Sequence, residues 1–166
     1  MTLESIVKFK EICKKLDLDI SKEKDNFEKR TFMQRIFYLL NKQGINLDVK
    51  YNFYKIGPYS LDLTDYYYAL MEYSDEDVNR IYRVNLTKKE EMAIMRVKGL
   101  IHAWKKDLTF LEFVVSLLFI IKDMYIKEKD NQKIKEVLAS LRSEIHEESL
   151  YQKAREVLEK EGLIEK

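Results

Sequence analysis

Chain breakers are scarce in this sequence. Four glycines and one proline in 166 residues exclude a loop-rich or many-stranded fold and favour long helices, because these two residues end or loosen regular structure. The single cysteine, Cys13, excludes an internal disulfide and a cysteine-rich metal framework, and suits a reducing compartment. The most apolar run, residues 108–121, is 14 residues long and includes Glu112. A bilayer span needs about 20 apolar residues, so this run reads as a buried central helix. Glu4, Lys8 and Lys10 fall within the first ten residues, unlike a signal peptide. A soluble, cytoplasmic protein with no membrane partner is expected.

Chemical motifs are equally scarce. The two histidines, His102 and His146, are far apart and outside any HExxH pattern, and no cysteine set joins them for zinc. There is no glycine-rich phosphate loop and no G-x-S-x-G elbow. These gaps point to a non-enzymatic protein without cofactor or metal. His102 reads as a surface or boundary residue, and Cys13, on an apolar helix face, as a buried structural thiol.

What the chain does have is charge, tyrosine and helical periodicity. Charged residues make up 36% of the chain, a thermophile-like balance. The net charge of +1 hides a division. Residues 1–56 hold twelve basic and eight acidic side chains, whereas residues 57–86 hold two and six. A phosphate-binding surface therefore belongs in the first part.

Leu3, Ile6, Val7, Phe9, Ile12, Cys13 and Leu16 recur at helical spacing over residues 2–17, with Thr2 as cap. Residues 18–28 break the pattern and read as a linker. A second helix is predicted from about Lys29 to Gln43, closed by Gly44 with positive φ. Val49, Tyr51 and Phe53 alternate with polar neighbours, as in a half-buried strand. Gly57-Pro58 is expected to form a turn. Ser60 then caps a third helix whose first turn holds Asp62. Residues 80–86 alternate again and could pair with the first strand or form a wing-like arm. Thr87 with Glu90, and Thr109 with Glu112, read as capping boxes of two further helices. The first runs to about Lys106 on Met92, Ile94, Met95, Val97, Leu100, Ile101 and Trp104, and the second to about Ile126. Two more helices cover about 131–141 and 147–161, before Gly162.

The helix around Met33-Gln34-Arg35-Ile36, then Tyr51, Phe53 and Gly57-Pro58-Tyr59-Ser60, resembles the YwgA-like family of bacterial proteins over roughly residues 27–75. It is more distantly similar to the Panacea domain of SocA-like antitoxins. The resemblance implies a winged-helix-like N-terminal half and a helical C-terminal half. With the residue pattern, which places the boundary near Leu86, the expectation is a mainly α protein: a winged-helix-like unit with a short β-hairpin or strand pair, residues 1–86, packed on a C-terminal helical bundle, residues 87–166, as two units or with one continuous core. The resemblance implies no catalytic residue. Ile56 stands where those families usually carry an aromatic.

Two binding readings follow. In the first, the protein is a DNA-associated transcriptional regulator of helix-turn-helix type. Its duplex DNA surface would be Lys29, Arg30, Arg35, Lys50 and Lys55, with Arg80 and Arg83 from the wing-like strand; a solvated basic face is the competing explanation. The third helix carries Asp62, Asp65 and Glu72 and no cation, which opposes the usual docking of such a helix on phosphates. The last helix carries Lys153, Arg155 and Lys160 among more numerous glutamates, and is the weaker reader of DNA. In the second reading, the protein is an antitoxin-like or adaptor module that binds a protein partner or a second copy of itself. Tyr66, Tyr67 and Tyr68 cannot all face inward, since helix neighbours differ by about 100°. Tyr68 should be exposed, and Tyr59, Tyr67 and Tyr68 would form the interface.

Overall fold

The computed structural model describes residues 1–20, 26–55, 57–72, 84–104, 107–141 and 148–165. Among these it contains seven helices and one two-stranded antiparallel sheet. The elements are α1 (Leu3–Lys15), α2 (Phe27–Lys42), β1 (Asn52–Tyr54), β2 (Gly57–Tyr59), α3 (Leu61–Glu72), α4 (Lys88–Trp104), α5 (Leu108–Lys122), α6 (Asn131–Leu141) and α7 (Glu148–Lys160). The protein is mainly helical with one short hairpin, as the sequence implies.

Local capping chemistry sets most boundaries. Thr2 and Ser5 exchange bonds at the start of α1, and the Leu63 N–H donates to Ser60 Oγ at the start of α3 (3.2 Å). The Thr87 N–H donates to Glu90 Oε2 (2.8 Å) and the Glu90 N–H to Thr87 Oγ1 (3.3 Å), as expected of that box. Gly44 and Gly162 close their helices with φ of +96° and +66°. The α2 start differs from expectation: Asn26 caps it through the Lys29 N–H (2.8 Å), so the helix begins inside the expected linker.

Three further expectations are corrected. Gly57-Pro58 is not the turn but the start of β2, with Phe53 opposite Pro58 and Tyr54 opposite Gly57. The hairpin of β1 and β2 lies between α2 and α3 in the chain. Val84 to Leu86 form no strand, and the rest of the expected wing-like strand, including Arg80 and Arg83, lies outside the described residues. At α5 the cap is Asp107, which accepts from the Phe110 N–H (2.8 Å), and not Thr109 with Glu112. Glu112 is engaged elsewhere, by Arg35.

Helix α5 is buried nearly all round, which its composition dictates. It packs against α2, β2, α4, α6 and α7. Phe119 reaches both Tyr38 of α2 (ring centroids 5.9 Å apart) and Phe53 of β1 (5.5 Å). One cluster of buried apolar residues includes Phe9, Phe37 and Tyr66 as well as Val97, Phe113 and Leu158. The core thus runs across Leu86. No helix among the described residues is long and apolar enough to cross a membrane.

Candidate interaction surface

The GPYS segment is held by α2 through one side chain. The Gln34 amide donates to the Ser60 carbonyl (2.9 Å) and accepts from the Ser60 N–H (2.9 Å), as a neighbouring strand would. The same amide donates to Thr64 Oγ1 (3.1 Å), which also meets the Tyr59 hydroxyl (2.8 Å). Both ends of the Ser60 peptide environment are satisfied inside the protein, as buried backbone requires. Three residues before Ser60, Gly57 lies against α5 with φ +97°, where a Cβ would stand 3.2 Å from Ser116 Oγ. Gln34, Gly57 and Ser60 therefore fix where the hairpin and α3 sit. Their pattern in the sequence is explained by packing.

Arg35, expected on a phosphate-binding face, is corrected by its burial: it is 6% exposed. Its guanidinium forms an ion pair with Glu112 and donates to the Leu108 carbonyl (2.9 Å). A charge taken out of water must be paired, and Glu112 does this across 77 residues of sequence. The remaining described basic candidates lie at the start of α2 and around β1. Lys29 and Arg30 sit on the first turn of α2, both half-buried. Lys29 Nζ is shielded from water without a hydrogen-bond partner, beside an open groove lined by Asn26, Glu28, Phe32 and Leu108. Arg30 lines a cavity of about 10 Å³ with Gln34, Thr64 and Tyr67. Lys50 and Lys55 are exposed around β1, and the Lys50 N–H donates to the Asp62 carboxylate (2.9 Å).

The aromatic candidates separate differently. Tyr67 is buried, so it lies beneath the surface rather than on it; its place in the expected interface is corrected. Its ring meets that of Tyr68 (5.8 Å, near perpendicular), and Tyr68 is 44% exposed, as the helical angle predicts. Tyr59 is half-buried and stacks edge-on against Tyr54 (5.5 Å), itself 44% exposed. Leu61, 66% exposed, was not singled out by the sequence. Leu61, Asp65, Tyr68 and Glu72 are spaced at i, i+4, i+7 and i+11, so one outward stripe of α3 alternates apolar and acidic groups. The sequence signal for Leu61 is there: it lies about 160° from Leu63 and Leu70, which face inward.

Polar clusters inside the protein are structural. The Tyr38 hydroxyl and the Lys42 ammonium both donate to Asp123, the latter at 2.5 Å. Burial first, then the Asp123 carboxylate, pushes the Tyr38 hydroxyl far above its ordinary pKa. Burial alone does the same to Tyr51 and to the Cys13 thiol. None of these groups is poised as an acid, base or nucleophile. Among the described residues, no three His, Cys, Asp or Glu side chains are arranged to hold a metal ion. In comparisons with known proteins, no family model, no curated protein and no solved structure matches the chain.

Proposed function

We propose that this protein is a non-catalytic binding module that docks a protein through the hairpin and the outer stripe of α3. The carrying observation is that stripe: Leu61 and Tyr68 stand in water, alternating along α3 with Asp65 and Glu72, and Tyr54 of the hairpin is exposed as well. Exposed aromatic and aliphatic side chains gain most from desolvation by a partner. The acidic groups select a partner of opposite charge. A DNA-associated regulator remains the competing function, but its surface is reduced. Arg35 is committed to Glu112, and α3 presents no cation to phosphate.

Two measurements separate these functions. Fluorescence anisotropy with mixed-sequence duplex DNA is expected to give no salt-sensitive binding at low or moderate salt. A photo-crosslinking amino acid in place of Tyr68 is expected to capture a polypeptide in an extract of the source cells. The same group in place of exposed Lys133 should capture none, and Leu61→Asp should abolish capture at position 68. Micromolar DNA binding that weakens with salt and is lost in Lys50→Ala/Lys55→Ala would overturn the docking function in favour of DNA.

A further inference from the structure

The outward face of α4 is built in the opposite sense to that of α3. Met92 and Met95 were expected to help fill the core; they are instead 55% and 72% exposed. The reason is angular: Ala93, Ile94, Val97 and Leu100 define the buried side, and Met95 lies about 200° from Val97. Met92, Met95, Arg96 and Gly99 are spaced at i, i+3, i+4 and i+7 along the outer side. A Cβ built on Gly99 would meet nothing within 4 Å, so the middle of this face is open.

Its charge is positive for a structural reason. The two glutamates of α4 are turned toward α1: Glu90 pairs with Lys8 (2.5 Å) and Glu91 with Lys15 (3.4 Å). Lys98 is drawn off by Asp17 (2.7 Å). Lys88, Lys89 and Arg96 remain exposed, without an ion pair among the described residues. The α3 stripe is complementary in each respect. It offers Leu61 and Tyr68 to two methionines, whose sulfur contacts with aromatic rings are favourable. It offers Asp65 and Glu72 to Lys88 and Arg96. The opening at Gly99 leaves room for a ring such as that of Tyr68.

We infer that the partner docked by α3 is a second copy of this chain, bound through the methionine-rich basic face of its α4. This rests on the docking function proposed above and names its occupant. The two patches are different surfaces, so the contact is heterologous. It closes into a ring or extends into a chain according to the rotation it imposes.

The test uses the purified full-length protein. Sedimentation equilibrium between about 1 and 200 µM is expected to show concentration-dependent association that weakens with salt, as a charge-guided contact should. Asp65→Lys/Glu72→Lys on α3, or Lys88→Glu/Arg96→Glu on α4, should raise the dissociation constant about tenfold or more. An equimolar mixture of the two reversed proteins should associate within about threefold of the original, because every α3–α4 contact between the two proteins again pairs opposite charges, whereas each protein alone opposes like charges. All these side chains are exposed, and circular dichroism is expected to show that the variants fold. Photo-crosslinking from position 68 in pure protein should yield an adduct of twice the chain mass, joined to a peptide of α4.

A monomer at every concentration overturns the inference, and so does association that neither reversal affects. A crosslink from position 68 to another protein in extract, with none in pure protein, overturns the self-association alone and leaves the docking function standing. No crosslink in either setting removes both.

Discussion

Replacing Gly57 by alanine tests whether the hairpin is anchored by contact with α5. Two costs are expected. The backbone sits at φ +97°, where a side chain costs about 1–3 kcal/mol. The new methyl group would stand 3.2 Å from Ser116 Oγ on a buried helix, and forced overpacking costs about 1–3 kcal/mol. Together they make about 2–6 kcal/mol, a large part of an ordinary folding stability of about 5–15 kcal/mol. With a urea dependence of about 2 kcal/mol per molar, the midpoint should fall by about 1–3 M. Gly44→Ala is the control. Its φ is +96°, but its only close neighbour is the flexible end of Lys89 at 3.5 Å, so it should show the backbone cost alone. Gly99→Ala, in open space on a helix, should stabilise by about 0.5–1 kcal/mol. The contact itself is isolated by Ser116→Ala. The Ser116 hydroxyl is buried without a hydrogen-bond partner, so its removal should be neutral or stabilise by about 1 kcal/mol. In Gly57→Ala/Ser116→Ala the contact cost is relieved, and the two changes should couple favourably by about 1–2 kcal/mol. Urea melts of the four proteins complete the cycle. Additivity within about 0.5 kcal/mol, or a Gly57→Ala cost no greater than that of Gly44→Ala, would refute the reasoning.

Glu112→Gln should leave the Arg35 guanidinium buried without its counter-charge and lower stability by about 3–5 kcal/mol, read by urea denaturation, whereas Arg35→Met/Glu112→Leu should cost less. Gln34→Glu keeps the acceptor for the Ser60 N–H but loses the donors to the Ser60 carbonyl and Thr64; a loss of about 1–3 kcal/mol is expected, with faster hydrogen exchange at the amides of early α3. For Glu90, burial raises the carboxyl pKa, but hydrogen bonds from Lys8 and Thr87 outweigh it, and the net shift is downward. Its stabilisation is therefore complete above the unfolded value of about 4.3 and is lost as pH falls through the lower folded value; Lys8→Met should flatten the fall in stability between about pH 5 and 3. Cys13, buried and with its thiol pKa raised by that burial, should resist aromatic disulfide reagents in the native protein and react at once in urea.

The helices were legible because their signals are local. Thr2, Ser60, the Thr87–Glu90 box, Gly44 and Gly162 each act within a few residues of the end they mark. The errors arose where a distant partner outbid the local signal. Glu112 has the spacing of a capping residue for Thr109, yet it serves Arg35. Gly57-Pro58 has the composition of a turn, yet β1 pairs with it and α5 lies beneath it. Seven apolar residues in α4 suggested one inner face, but a helix cannot turn them all to one side, so Met92 and Met95 were left in water. Counting angles instead of apolar residues would have found them, as it found Tyr68. Arg35 could not have been distinguished from a surface arginine, because its counter-ion Glu112 comes from α5, far along the chain.

That distance has a consequence during synthesis. At about 5–20 residues per second, the 77 residues between Arg35 and Glu112 delay the arrival of the carboxylate by about 4–15 s. Until then the nascent chain holds α2 with the face that α5 covers still open and its guanidinium without Glu112. Tyr38 and Phe53 wait similarly for Phe119. The contacts of α1, α2, the hairpin and α3 with one another can form before then, but the emergence of α5 is the moment at which the centre of the fold can first close.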